Sequence, residues 1–486
     1  MNQHTEENIH LLPRDNNTFI ILTAGYGFQV IERLWDRIRA ETGFVISHIL
    51  HPSLDQCALT KRTETEHYYC LRDNVRMKMP PPDKEYLASF EQTGVPTIHN
   101  AIMSDELLRP LDYSESLAYA SYIGHRLEHL FRQIKPSVIV SGFDGFHSSM
   151  ALAVARKLGI PFFVLCFSSL PKGLTGFCTG MNTSTCFSVR PTSPKVLRAL
   201  AERTISEFES HKLVAPTILT ENSVAMILKR LPGRIQTFCE AVSRAIALRF
   251  DKYTQPPVWR SALNYFRKRR NLIFLPTKWF IEDPPATPYL FIGLHMQPEM
   301  AIDVWSPFFS DQFNVIEAIA RSTPPTHQLL VKLHNIDADN YSRRQLGRLR
   351  QLPGVHLVSP FASSRRFIEN AALVLSIQGT ITLEAALLGR PVLAFGETKY
   401  MVLPSVSRVN RITDLPEQIR RKLSEEPPTR EAILRGFMSY LSCYTPGCYN
   451  DWEVAPSAAE IEALAMQFKS LRDFIAEQGE YAAKSG

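Results

Sequence analysis

Short apolar runs, each closed by a glycine-bearing or polar turn and followed by helical periodicity, recur in two separate series along this chain. That alternation restricts the fold more than any other feature. Thr18 to Thr23 (TFIILT) opens the first series and is followed by Gly25-Tyr26-Gly27. Phe28, Ile31, Leu34, Trp35 and Ile38 then recur at helical spacing until Gly43, and Phe44 to Leu50 is apolar again. Strand, glycine turn, helix and strand make a βαβ unit, and such a crossover needs a parallel sheet. Asp55 to about Asn100 reads as a long polar excursion. The pattern resumes with an amphipathic helix from Ser114 to Ile134 and a strand from Ser137 to Ser141. Gly142-Phe143-Asp144-Gly145 turns into a helix reaching Leu158-Gly159, and Pro161 to Phe167 is the next strand.

A basic, mainly helical stretch (residues 195–270) separates the two series, and Asp283-Pro284-Pro285 marks a linker. Beyond it, strands are expected at Tyr289 to Leu294, Gln328 to Leu333, Val355 to Val358, Leu373 to Ile377 and Val392 to Phe395. Helical spacing fills the intervals, from Asp311 to Ala320, Tyr341 to Leu352 and Arg365 to Ala372. At 486 residues the chain exceeds one ordinary core. The expected fold class is therefore α/β, with two Rossmann-like lobes facing a cleft, where ligands of such folds bind. The divisions are an N-terminal lobe (1–195), a basic connector (196–285) and a C-terminal lobe (286–455). A final helix (456–486) has Ile461, Leu464, Phe468 and Leu471 on one face, and should dock back on the lobes.

Hydrophobic residues make up 45% and charged ones 21%, a globular composition. The eight cysteines form no CxxC pair and have no ligand-like His spacing, which argues against a zinc site or disulfide scaffold and fits reduced thiols. The first residues, MNQHTEENIHLLPRDNN, show no secretory signal, and no run suits a membrane-spanning helix. A cytoplasmic protein is expected. From Leu228 to Arg270, eleven Lys/Arg face only Glu240 and Asp251, about +9 in net charge, with Trp259, Tyr265 and Phe266 interleaved. That segment suits an anionic membrane surface, here the inner face of the cytoplasmic membrane, or an anionic glycan. A solvated basic helix pair accounts for it equally well. Nucleic acid is not expected as a partner, since no binding motif accompanies the charge.

The most informative stretch is VLSIQGTITLEAALLGRPVLAFG, residues 374–396. A plain crossover does not need the polarity of Gln378-Gly379-Thr380-Ile381-Thr382 with Glu384 close behind. A helix start exposes unpaired N–H groups and the positive end of the peptide dipoles. Gly379 would let a ligand approach the backbone, with the Thr380 and Thr382 hydroxyls beside it, as in a loose phosphate cradle. Glu384 falls on the face defined by Ile381, Leu387 and Leu388, where a carboxylate is costly unless it accepts bonds, for instance from ribose hydroxyls. Alternatively, Thr380 caps the helix and Glu384 favours its first turn. Two further strand ends in this lobe are polar. Lys332 and His334 follow one, and His295, Gln297 and Glu299 follow another, in LHMQPEMAIDVW. A histidine there can donate to a phosphate and a lysine can support the same anion.

The ordered words LHMQPE, SPFFSDQFNVIEAIA, LLVKLHN, GVHLVSP and QGTITLEAALLGRPVLAFGETKY, between Tyr289 and Tyr400, resemble the bacterial capsule polysaccharide biosynthesis glycosyltransferases. These are GT-B proteins that include Kdo transferases. The resemblance covers roughly a quarter of the chain. It implies that His334, Gly379, Thr380 and Glu384 hold the nucleotide of a nucleotide-sugar donor, with a glycan or glycolipid as acceptor. Where the family has Glu-His-Pro, this chain has Leu333-His334-Asn335, which keeps the histidine and loses the proline.

Glycosyl transfer needs a held donor phosphate and a base or nucleophile. Asp144, which follows a strand and is flanked by glycines, and Glu299 are the candidates. A helix N-cap is the plainer explanation of Asp144, and solvation after the Pro298 turn that of Glu299. His147 lies a turn beyond Asp144, and Gly25 and Gly27 suit a close-approach loop on the acceptor side, though a tight βα turn explains them as well. No DxD-like element is placed for a metal-bound diphosphate, so metal independence is expected, and no cofactor. The expected activity is transfer of a sugar from a nucleotide donor, with a CMP-linked acidic sugar as the candidate, to a surface polysaccharide or its lipid anchor. The alternatives are a CDP-glycerol-type phosphotransferase, a nucleotide-sugar epimerase, and a catalytically silent glycan-binding or assembly protein.

Overall fold

A computed structural model of the chain describes residues 18–23, 38–40, 45–50, 68–72, 77–91, 97–142, 145–181, 183–211, 251–254, 256–335, 337–447 and 457–484. Gly25, Gly27, Asp144 and most of the basic stretch before residue 251 lie outside these residues.

The N-terminal sheet contains β1 (Thr18–Thr23), β2 (Val45–Leu50), β3 (Tyr68–Cys70), β4 (Val138–Ser141), β5 (Phe162–Phe167), β6 (Leu174–Thr179) and β7 (Cys186–Phe187). Its order is β3-β2-β1-β4-β5-β6, with β7 on β6; the first five are parallel and β6 and β7 antiparallel. Alternation along β4 and β5 explains the two-sided burial. Ile139, Phe162 and Val164 face the helices Tyr113–Ile134 and Phe146–Lys157. Val138, Val140, Phe163 and Leu165 face the helix Ala458–Lys484, which inserts Leu464, Phe468 and Leu471. The C-terminal helix therefore completes the N-terminal lobe.

The C-terminal sheet contains β8 (Phe280–Ile281), β9 (Tyr289–Gly293), β10 (Gln328–Lys332), β11 (Val355–Val358), β12 (Leu373–Ser376), β13 (Val392–Ala394) and β14 (Val406–Arg408). All are parallel, in the order β14-β13-β12-β9-β10-β11-β8. Leu290, Ile292, Leu329, Val331, Leu373 and Leu375 fill one face, and Phe291, Leu330, Val358, Val374 and Val392 the other. Burial on both faces is why these strands read as continuous apolar runs. β8, on the linker side of the expected boundary, joins this sheet through β11.

Each sheet grows outward in one direction and then reverses, between β1 and β4 and between β9 and β12. Ligands of such sheets bind outside the carboxyl ends of the strands at these reversals. The lobes meet through residues that follow strand ends. The backbone N–H of Ser169, beyond β5, donates to the Tyr440 hydroxyl at 2.8 Å, and Lys399, beyond β13, donates to the Phe167 carbonyl. Met300–Asp303, beyond β9, packs on Ile98–Ser104. After the helix Arg430–Leu441, the short strand β15 (Thr445–Pro446) pairs antiparallel with β6 as the chain returns to the first lobe.

One expectation fails for a cysteine. Cys70, at the end of β3, is disulfide-bonded, so not every thiol is reduced.

Candidate functional site at the C-terminal switch point

β9 and β12 lie side by side with the sheet reversal between them, and their loops interlock. Gly379 is the N-cap of the helix Thr380–Leu387, at φ 115° and ψ 171°, and no side chain caps that helix. A Cβ at Gly379 would also lie 2.9 Å from Cε1 of His295. Two independent constraints, backbone region and space, thus disfavour any other residue. Thr380 is not the cap; its hydroxyl stands near Glu384 one turn on and pulls that carboxyl down against burial.

His295 is the fixed point of the site. Its backbone N–H donates to Gln312 Oε1 at 2.8 Å and its carbonyl accepts from Gln312 Nε2 at 3.0 Å. The backbone N–H of Gln378 donates to His295 Nε2 at 3.3 Å, and Nδ1 lies 3.2 Å from Glu299 Oε2. A nitrogen that accepts a backbone N–H must present its lone pair. The network therefore assigns the proton to Nδ1, which donates to the Glu299 carboxylate.

The charged groups around this point are tuned by burial. The Glu384 carboxyl is pushed up to about 7 by burial, against the pull of Arg365, Lys332 and the Thr380 hydroxyl. Burial pushes Lys332 down to about 8, opposed by Glu384, and its ammonium donates to the Pro360 carbonyl at 3.0 Å. His334 is held below its ordinary value by burial, with Glu299, Lys332 and His295 as its charged neighbours. An acid near 7, an amine near 8 and two imidazoles beside open helix amides make a site that can bind an anion and move a proton.

His295, Glu299, Lys332, His334, Gln378, Gly379, Thr380 and Glu384 thus form one group. Gln297 stands just outside it. Its Nε2 donates to the Ser310 carbonyl at 2.8 Å and its Oε1 accepts from Gln312 at 3.1 Å, so its carboxamide fixes the loop. Thr382 is fully buried in the helix. His147 is 5% exposed inside the N-terminal lobe, with Nε2 3.0 Å from the Tyr119 hydroxyl, and does not join the group.

Sequence reasoning passed over three contributors. Gln312 holds His295 from a helix, and its signal was the Asp311-Gln312 word of the resemblance. Arg365, at the start of another helix, acts on Glu384 through its charge while its guanidinium donates to Glu369 and to the Phe208 carbonyl. An Asp337-Ala338-Asp339 word does exist, but Asp337 accepts the Gln297 backbone N–H at 3.0 Å and is buried as a loop anchor.

Two sheets, each with a parallel run that reverses, and strand-end loops of the two lobes in contact decide the class. The architecture is GT-B. No protein-family model matches the chain. Protein FixF of Sinorhizobium fredii (strain NBRC 101917 / NGR234) is 25% identical over 127 residues, 26% of this chain and 30% of that protein. Among solved structures, Thermosulfurimonas dismutans KpsC, a beta Kdo 2,4 transferase, is 14% identical, with 62% of this chain and 79% of that one covered and a TM-score of 0.34. UDP-N-acetylglucosamine 2-epimerase from Rickettsia bellii is 11% identical over 94% of this chain and 97% of its own, at a TM-score of 0.31. Scores this low do not discriminate among the activities of GT-B proteins, and the class rests on the strand order itself.

Proposed function

We propose that the chain is a glycosyltransferase whose C-terminal lobe holds a nucleotide-sugar donor at the β9–β12 switch point. The observation that carries this reading is the Gly379 turn. It opens a helix N-terminus at the sheet reversal, with His295, His334, Lys332 and Glu384 gathered around it. In this reading the helix amides and His334 neutralise the donor phosphates, and Glu384 accepts from the ribose hydroxyls. In the same reading Glu299, whose Oε2 lies 3.2 Å from His295 Nδ1, takes a proton from the acceptor hydroxyl. Asp144 remains the N-terminal lobe's candidate for that role. A CMP-linked sugar is the proposed donor, and a surface polysaccharide or its lipid anchor the acceptor.

The docking surface proposed with it is the helix Val258–Ile273. Trp259, Leu263, Phe266 and Ile273 recur at helical spacing and, with Phe274, are 61 to 74% exposed. Arg260, Arg267, Lys268 and Arg270 accompany them. An apolar stripe with basic flanks suits the interface of an anionic bilayer. Another part of the helix packs on the lobe through Asn271, whose Nδ2 donates to the Asp339 carbonyl at 3.0 Å. Docking there would hold the donor site against the membrane. Among the described residues no helix is long and apolar enough to cross one.

The test is a thermal-shift panel of CMP, CDP, UDP, GDP and ADP with His334→Ala and Glu384→Ala alongside, followed by turnover of the matching donor. One nucleotide should raise the melting temperature, both substitutions should abolish the shift, and a sugar should be transferred. Glycerol phosphate transferred instead would favour a phosphotransferase. Binding without turnover or donor hydrolysis would favour a silent glycan-binding protein.

A further inference from the structure

Far apart in sequence, four cysteines converge where the lobes meet. Cys178 of β6 lies directly opposite Cys186 of β7, and Cys166 of β5 pairs with Gly176, two residues before Cys178. Side chains alternate along a strand, so all three thiols project from the same face of three adjacent strands. Their sulfurs lie within 4.8 Å of one another, and those of Cys166 and Cys186 are 2.6 Å apart. Cys443, beyond the helix Arg430–Leu441, is their neighbour: Cys186 Sγ lies 3.8 Å from its carbonyl oxygen, while its own thiol donates to the Ser439 carbonyl at 3.7 Å. Gly176 makes that approach possible, since a Cβ there would lie 2.3 Å from the Cys443 carbonyl oxygen and 3.3 Å from Cys186 Sγ.

The surroundings favour thiolates held by a cation. Leu170, Leu174 and Tyr444 enclose the group in an apolar core shared by both lobes. The Lys399 ammonium is an electrostatic neighbour of the sulfurs. Four thiolates at the zinc–sulfur distance of about 2.3 Å stand about 3.8 Å from each other in a tetrahedron, so on binding the Cys166 and Cys186 sulfurs would part and the Cys443 thiol would turn from the Ser439 carbonyl to close the fourth position.

We infer that Cys166, Cys178, Cys186 and Cys443 form a structural zinc site that ties β5, β6 and β7 of the N-terminal lobe to the segment entering from the C-terminal lobe. The residues are too widely spaced to show as a motif, which is why the sequence argued against zinc. The site goes beyond the proposed activity and does not depend on it. Binding would release the thiol protons and leave the metal unchanged in oxidation state.

The experiment uses the full chain purified without chelator. About one zinc per chain is expected by elemental analysis. Titrating the thiols with a mercurial in the presence of a zinc indicator should release the metal as these thiols react. Replacement by cobalt(II) should give the thiolate charge-transfer band and the red ligand-field bands of a tetrahedral site. Cys178→Ser should lose the metal and the band, and Cys443→Ser should alter the ligand-field bands. If Cys178→Ser does not fold, the mercurial titration and cobalt spectrum of the unsubstituted chain still decide. Substoichiometric zinc without a cobalt band would overturn the inference. So would a Cys166–Cys186 disulfide in peptide maps of the freshly purified protein, or full zinc retention by Cys178→Ser.

Discussion

Replacing Gly379 with alanine tests the candidate site at its tightest point. The backbone there, at φ 115° and ψ 171°, occupies a region that L residues enter at a cost of about 1–3 kcal/mol. The new Cβ would also sit 2.9 Å from His295 Cε1. The ring is held by the Gln378 amide on one side and Glu299 on the other, so yielding would distort hydrogen bonds worth about 1 kcal/mol. Together these give about 2–4 kcal/mol against the conformation that presents the helix amides. If a nucleotide needs that conformation, its affinity should fall roughly 30- to 900-fold, since about 1.4 kcal/mol is tenfold. Calorimetric titration of the nucleotide selected by the panel measures this directly. A second substitution separates the causes: His295→Ala should remove the clash but not the backbone cost, leaving a coupling of about 1 kcal/mol in the double-mutant cycle. Unchanged affinity and melting temperature in Gly379→Ala would refute the reasoning.

Other consequences follow from the same geometry. Because burial raises the folded-state pKa of Glu384 from 4.5 to about 7, its ionisation opposes folding. Stability of the ligand-free protein should therefore fall as pH rises across that window, and Glu384→Gln should flatten the fall in a series of melting curves. If the carboxylate accepts from ribose, nucleotide binding near pH 7 should release a proton, read by calorimetry in buffers of different ionisation enthalpy; proton uptake would place Glu384 against the phosphates instead. Gln312→Ala leaves the His295 N–H and carbonyl without their side-chain partner, at about 1–3 kcal/mol for each buried group left unsatisfied, and should lower both the melting temperature and nucleotide affinity. Trp259→Ala with Phe266→Ala should reduce co-sedimentation with anionic vesicles and leave the melting temperature unchanged, because both side chains are exposed; equal sedimentation would remove the membrane proposal.

How far the sequence reached depended on the kind of contact. The strands at Val355–Val358 and Gln328–Lys332 were legible because parallel strands buried on both faces read as unbroken apolar runs. The turn at Gly379 was legible because a glycine followed by hydroxyls is unusual at a crossover. Strand β6, LTGFCT, was missed, since its glycine and threonines lower the apolar signal and its partners are antiparallel. The Gln312 grip on His295 joins positions 17 apart, and the grouping of Cys166, Cys178 and Cys186 depends on strand register. Neither follows from local periodicity. The polar strand ends announced a site, but only the packing showed that Gln297 fixes its loop.

The covering of the N-terminal sheet by Ala458–Lys484 also bears on how the protein is made. A ribosome delivers the first lobe first, yet until this helix emerges Val138, Val140, Phe163 and Leu165 have only neighbours from their own lobe, such as Ile38 and Phe177, on that side and lack the cover of Leu464, Phe468 and Leu471. The C-terminal lobe draws its seven strands from the continuous span 280–408 and can close earlier. Completion of the two lobes then runs in the opposite order to synthesis, and through most of translation the chain carries a partly uncovered apolar sheet face, the kind of surface that chaperones hold and that aggregation exploits.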